Sequence, residues 1–337
     1  MGRAIAKPTR KNGAIIYFHQ KNNMKFKIEN LGIIKRAEVE LDKDLILLCG
    51  HNNTGKSYLA YEIYHFLTRQ EGLRAYIAPA ERSAINIFSK ELALNKNKLL
   101  SGLLKSGENA HKMLDSLREQ VDRYPQPIKD NLAIAEDLLF LSKNNSEFGF
   151  LANELEQDIL KGKMIISPEG EIKYIPNNAP EQSLELSLTA SLVKSLANIV
   201  FYLRHLAKAG DYIIIDEPEL NLHPNNQILM ARFLGRLVNE GFKVIASTHS
   251  DYIVMEISNL IMLASPDEKP IDLIKQYGYA ENQLLKPQRV GALLFTEDDE
   301  MPHEITVTKT GLEVETINQV VDNLNQSSEG IYFALFD

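Results

Sequence analysis

The sequence holds a single cysteine, Cys49, in 337 residues. One cysteine excludes an internal disulfide and fits a reducing compartment. It also excludes zinc sites built on cysteine pairs, and the eight histidines are scattered with no H-E-x-x-H spacing among them. No apolar run reaches the ~18 residues a membrane-spanning helix needs. The run Ala14–Phe18 is too short to serve as the apolar core of a secretory signal. A cytoplasmic location with no membrane partner is therefore expected. No G-x-S-x-G motif supplies a serine nucleophile. Neither an internal repeat nor a low-complexity segment is apparent.

Apolar residues make up 44% of the chain and charged residues 24%, the balance of an ordinary globular protein able to bury a sizeable core. The net charge of −8 is unevenly placed, because residues 1–27 carry seven Lys/Arg and no acid. Such a basic arm reads in two ways: a solvated tail, which is favoured, or a contact for nucleic acid or an acidic partner. Regular patterning begins at Met24, so residues 1–23 are expected to be a dispensable basic extension.

The most informative stretch is Gly50-His51-Asn52-Asn53-Thr54-Gly55-Lys56-Ser57, which matches the Walker A pattern G-x-x-x-x-G-K-[ST]. The apolar strand Leu45–Cys49 runs straight into it, and a helix-prone segment, Tyr58–Thr68, follows. That context matters because backbone N–H groups at a helix N-terminus are what hold phosphate. Gly50, His51, Asn52, Asn53, Thr54 and Gly55 are thus the expected phosphate cradle. Lys56 would neutralise the β- and γ-phosphates, and the Ser57 hydroxyl would ligate Mg²⁺. Before this motif, Met24–Asn30 and Ala37–Leu41 alternate with period two and predict a hairpin, an antiparallel edge leading into a parallel core. After it, Leu73–Pro79 predicts a strand ending in Ala80-Glu81-Arg82-Ser83. Those polar residues either face a ligand at the strand's end or start a helix with Glu81 and Arg82 in solvent.

Residues 85–161 change character. Helical spacing at Leu114, Leu117 and Val121, at Leu132, Ile134, Leu138, Phe140 and Leu141, and at Leu151, Leu155, Ile159 and Leu160 predicts an insertion of three to five helices. Pro125 and Pro127 separate two of them. The apolar stripes read as core before they read as a partner groove. Residues 164–175 predict a hairpin around Gly170, and Thr189–Ala207 a helix.

Two further strands end in chemistry. Tyr212–Ile215 runs into Asp216-Glu217-Pro218, the Walker B pattern, in which Asp216 holds Mg²⁺ and Glu217 acts as general base on the attacking water. Across one expected helix, Pro224–Asn239, Phe242–Ala246 runs into Ser247-Thr248-His249-Ser250. There His249 would lie beside the Walker B strand, within reach of the γ-phosphate.

Taken with Lys27-Ile28-Glu29-Asn30-Leu31-Gly32 and Asp216–Pro224, these motifs resemble ABC-class ATPases of the SMC-like and OLD-like branch, which includes stand-alone ATP-binding proteins of prokaryotic defence systems. The resemblance covers about residues 24–265, with a gap over the helical insertion. It implies an α/β fold of the ABC-type P-loop head, a mixed sheet with antiparallel edge strands and a parallel core, flanked by helices. It also implies ATP and Mg²⁺ as cofactors, and a homodimer closed by ATP that regulates an effector or toxin protein; the alternatives are a DNA-engaging repair or maintenance ATPase and a nucleotide-gated scaffold with little turnover. A signature serine acting in trans on the partner's γ-phosphate is a further implication. Ser191 is the candidate for that serine, with Ser187 and Ser195 as fallbacks. The glycine that should follow is absent; Leu192 stands there, which puts fast turnover in question. No clear Gln-loop is present, and 78–83 stands in its place.

The expected layout is thus an extension (1–23), an N-terminal lobe with Walker A (24–84), the helical insertion (85–161), a C-terminal lobe with signature, Walker B and His249 (162–265), and a small α+β tail (266–337). In the tail, strands are expected at 271–274, 289–295 and 304–309, with a helix over 313–324 and an apolar end, 331–336, packed onto the body. Glu297–Glu300 reads as an acidic turn, with a metal-dependent nuclease as the remote alternative.

Overall fold

The computed structural model describes residues 24–86, 124–264, 271–297, 299–313 and 326–334, together with two N-terminal strands at 9–11 and 14–19. At its centre is a six-stranded sheet of β13 (His303–Glu304), β12 (Val290–Phe295), β5 (Leu45–Gly50), β11 (Lys243–Thr248), β10 (Tyr212–Asp216) and β6 (Ala75–Ala78), in that order. Every pairing is parallel except β12 with β13. The four inner parallel strands are apolar almost throughout because both faces are covered. Alternate residues divide between two cores: Leu45, Leu47, Ile213, Ile215, Val244 and Ala246 face one, while Ile46, Leu48, Ile214 and Ile245 face the other.

Helix α1 (Lys56–Leu67) buries Leu59, Ala60, Ile63 and Leu67 on the second of these faces. Helices α2 (Gln126–Glu136) and α3 (Gly149–Leu155) follow in the chain. The first face receives α4 (Ser191–His205), α5 (Pro224–Asn239) and α6 (Asp251–Leu263), whose apolar sides contribute Leu196, Val200, Leu234, Leu237, Ile253 and Ile257. A small sheet of β7 (Gly162–Ile166), β8 (Ile172–Pro176) and β9 (Leu184–Glu185) contains the predicted hairpin.

The fold is the expected α/β head with a parallel core flanked by helices. Several details differ from expectation. The hairpin β3 (Lys25–Leu31) and β4 (Ile34–Glu40) is not an edge of the central sheet; it forms a second, antiparallel sheet that packs on α1 through Phe26, Ile28, Ala37 and Val39. Residues 1–23 are not wholly a loose tail. β1 (Thr9–Lys11) and β2 (Ala14–His19) extend that second sheet, with Ile16 opposite Ile28 and Phe18 opposite Phe26. An unpaired edge on β3 and a β-branched and aromatic run in β2 explain the pairing.

The tail, expected to pack on the body, contributes a strand to the central sheet itself. β12 lies parallel to β5, so residues far along the chain complete the nucleotide-side sheet. The predicted strand at 271–274 is a helical turn, Ile271–Gln276, since so short an apolar run cannot distinguish the two periods. Residues 331–333 are exposed and do not cover the body. The predicted helix over 313–324 lies, beyond its first residue, outside the described residues. Within the insertion, Pro125 and Pro127 sit at the start of α2, and a break at Asp137 divides the run that was expected to continue to Leu141. The stripe at Leu114, Leu117 and Val121 lies outside the described residues.

Candidate active site

β5 ends at Gly50, and the chain turns through residues 51–55 into α1. Gly50 has φ 135° and Gly55 φ 97°, conformations that L-residues with a Cβ rarely adopt. Space is equally restrictive: a methyl at Gly50 would lie 2.0 Å from the carbonyl oxygen of Phe295, and one at Gly55 would lie 2.8 Å from Ile34 Cγ1. The P-loop is therefore seated on β12 from the tail and on the hairpin from the N-terminal sheet. Gly50→Ala is expected to destabilise the fold by about 2 kcal/mol or more through overpacking. Thermal unfolding checks this, with Gly330→Ala, which meets no atom within 4 Å, as the neutral control.

Gly55 precedes α1 with no side-chain cap, so the first-turn N–H groups are left for a ligand. His51, Asn52 and Asn53 are exposed along the loop, whereas Thr54 is buried and its hydroxyl donates to the His51 carbonyl at 2.8 Å. Lys56 is buried, with Nζ donating to the carbonyls of Gly50 (2.9 Å) and His51 (2.5 Å). Burial pulls its pKa down; Glu217, Glu219 and Asp216 nearby pull it up.

Walker A and Walker B meet at one hydrogen bond. Ser57 Oγ donates to Asp216 Oδ1 at 3.0 Å, and Ser247 Oγ donates to the same oxygen. The parallel register that sets Asp216 opposite Ser247 makes the second contact unavoidable. Asp216 is buried, and desolvation raises its pKa against the opposing effect of the two hydroxyls. Its second oxygen, Oδ2, is buried with no protein partner. A hydroxyl and a carboxylate with a spare oxygen fit Mg²⁺, which takes few protein ligands and shares the rest with water and phosphate. Among the described residues, no group of three or more His, Cys, Asp or Glu could hold a metal by itself.

Glu217 follows in a left-handed conformation, φ 51°. For a residue with a Cβ this costs about 1–2 kcal/mol. The turn sets the Glu217 side chain partly exposed, 27%, beside His249 at 3.9 Å. The Ser-Thr-His-Ser segment is accounted for residue by residue. Ser247 binds Asp216, Thr248 Oγ1 donates to Glu219 Oε1 at 2.9 Å, and Ser250 caps α6 by accepting from Ile253 N–H at 3.3 Å. His249 is left exposed at the turn, with its main-chain N–H donating to Glu219 Oε1 at 2.7 Å and its ring Nδ1 3.1 Å from that same oxygen. Cys49, at the end of β5, is buried and its thiol is pushed up to about 12 by desolvation, which makes it an inert core residue.

The sequence-predicted residues Gly50–Ser57, Asp216, Glu217 and His249 thus converge on one end of the parallel sheet. Ser191 does not join them; it is the exposed first residue of α4. Of its fallbacks, Ser187 lies in the 3₁₀ turn Leu186–Leu188, and Ser195 is buried with its hydroxyl turned back to the Leu192 carbonyl. Two residues at the site carry roles that the motifs did not assign. Glu219 is a buried carboxylate organising His249. Arg82, one of the two readings of which placed it in solvent, is wholly buried against the Walker B turn. The signal for Arg82 was its place at the C-terminal end of a parallel strand.

One family model agrees with the motifs. Residues 24–105 and 71–254 match the family described as AAA ATPase domain. Among solved structures, the chain is similar to the Smc head domain from Pyrococcus furiosus, crystallised with an extended coiled coil and bound to the C-terminal domain of ScpA. That likeness has 12% identity and a TM-score of 0.37, covering 91% of this chain and 99% of that one. No curated protein sequence matches. With its P-loop, Walker pair and parallel core in place, the chain belongs to the AAA ATPase domain family.

Proposed function

We propose that the chain binds ATP with Mg²⁺ and hydrolyses it, as an ABC-class ATPase of the SMC-like and OLD-like kind. The observation that carries this reading is the Ser57–Asp216 hydrogen bond, which joins the two Walker motifs beside Lys56 and Glu217. Bound Mg²⁺ would supply charge neutralisation at the phosphates, held by Ser57 and Asp216. Lys56 exchanges its loop carbonyls for phosphate oxygens. The glycine loop donates its N–H groups. Glu217 accepts the proton of the attacking water, and His249, turned by Glu219, faces the γ-phosphate. The chemistry is positioning and charge stabilisation with no covalent intermediate.

In this reading two copies close around ATP. Ser191, exposed at a helix start, would be the group that serves the partner's nucleotide, a role taken from the resemblance. Closure and release would control an effector protein, in keeping with the resemblance to stand-alone ATPases of anti-phage defence. The test is the mass in solution of the Glu217→Gln variant with and without ATP–Mg²⁺. Doubling on ATP supports the dimer. An unchanged mass, with ATP bound, leaves a nucleotide-gated scaffold, the alternative that Leu192 in place of glycine favours.

A further inference from the structure

Arg82 is completely buried and heads the large side chains that are fully inside among the described residues. Arginine is almost never so placed unless it is paired. Here the partners are main-chain carbonyls. Nη1 donates to Asp216 O at 2.6 Å and to Pro79 O at 3.1 Å, and Nη2 donates to Glu217 O at 2.6 Å. The Pro79 bond ties the same guanidinium to the end of β6, next to β10 in the sheet. Both short bonds fall on the turn where the chain leaves β10 and Glu217 takes its left-handed conformation. That turn is otherwise fixed by Glu217 N–H donating to Ser247 O at 3.0 Å and Leu220 N–H donating to Glu217 O at 3.0 Å. The two short bonds leave from two separate nitrogens held in one plane, a spacing that the single nitrogen of a lysine does not reproduce.

We propose that Arg82 is a positioning residue for hydrolysis: its guanidinium clamps the carbonyls of Asp216 and Glu217 and holds the Glu217 carboxylate where it meets the attacking water. This rests on the ATPase reading above. Arg82 itself is too deep to touch the nucleotide and acts through the turn alone. Its contribution therefore belongs to turnover, with ground-state binding of ATP untouched.

The experiment uses the full chain and Arg82→Lys, alone and combined with Glu217→Gln. Turnover is followed by phosphate release, with single-turnover assays for the slow variants, and ATP affinity by titration with Mg²⁺. Arg82→Lys is expected to lower kcat about 100-fold, the scale of a catalytic group displaced by an ångström, and to leave ATP affinity unchanged. In the Glu217→Gln background the same substitution is expected to change turnover no further, because the group it positions is gone. Wild-type kcat in Arg82→Lys, or full additivity in the double variant, overturns the proposal. Hydrogen exchange gives a readout that does not need turnover: amides of 216–222 should exchange faster in Arg82→Lys, with those of 243–248 unchanged. Acceleration throughout the molecule would mean a general structural role and also overturns it. If the wild-type chain hydrolyses no ATP, the ATPase reading fails, and the exchange arm still decides whether Arg82 clamps the turn.

Discussion

Glu217→Gln is expected to retain ATP at wild-type affinity and to hydrolyse it about 1,000-fold more slowly, within the range that general acid–base groups contribute. The amide keeps the size and the turn of the carboxylate but cannot accept a proton from water. Two glutamates stand at this end of the sheet, and their surroundings separate their roles. Glu219 is buried and accepts from Thr248 and from His249 N–H, so one oxygen is already committed to the scaffold. Glu217 is partly exposed at the turn, and its side chain reaches the surface where a substrate would lie. Phosphate release and nucleotide retention, measured together, check the prediction. Weakened ATP binding in proportion to lost turnover would reassign Glu217 to the binding of substrate.

Lys56→Ala is expected to raise the Kd for ATP by about 100-fold, corresponding to ~3 kcal/mol for removing one partner of a buried charge pair. Its ammonium sits against the phosphate cradle, donating to the Gly50 and His51 carbonyls. Asp216, Glu217 and Glu219 all act on it electrostatically, so its loss leaves a polyanionic ligand facing three acids. Lys56→Arg should not restore binding, because the wider guanidinium cannot occupy the slot beneath the Gly50 and His51 carbonyls. Titration calorimetry reads the affinity.

The Walker A, Walker B and Ser-Thr-His-Ser motifs were legible in the sequence because each is local. An apolar strand stops at a glycine loop, at an acidic pair or at a polar tetrad, and a parallel sheet brings those stops to one edge. Gly50, Lys56, Ser57, Asp216, Glu217 and His249 all follow from that rule. What the sequence concealed was non-local. Nothing near Val290–Phe295 announces that it pairs with Leu45–Gly50, more than two hundred residues earlier, or that Phe295 O would forbid a side chain at Gly50. The basic residues of 1–27 suggested a solvated arm, yet the apolar register of β2 against β3 places part of it in a sheet. Arg82 and Glu219 were hidden by their charge: ionisable residues are read as surface until the backbone carbonyls or the hydroxyl that satisfy them are seen. Ser191 remains an assignment from resemblance, since a residue that acts on a second copy leaves no trace in the contacts of one chain.

The most direct test of the account is phosphate release from ATP with Mg²⁺ by the wild-type chain and Glu217→Gln side by side, with bound nucleotide counted in each. The account predicts that the wild type releases phosphate and that the variant holds ATP unhydrolysed. Equal release by both, or no ATP retained by either, would contradict it.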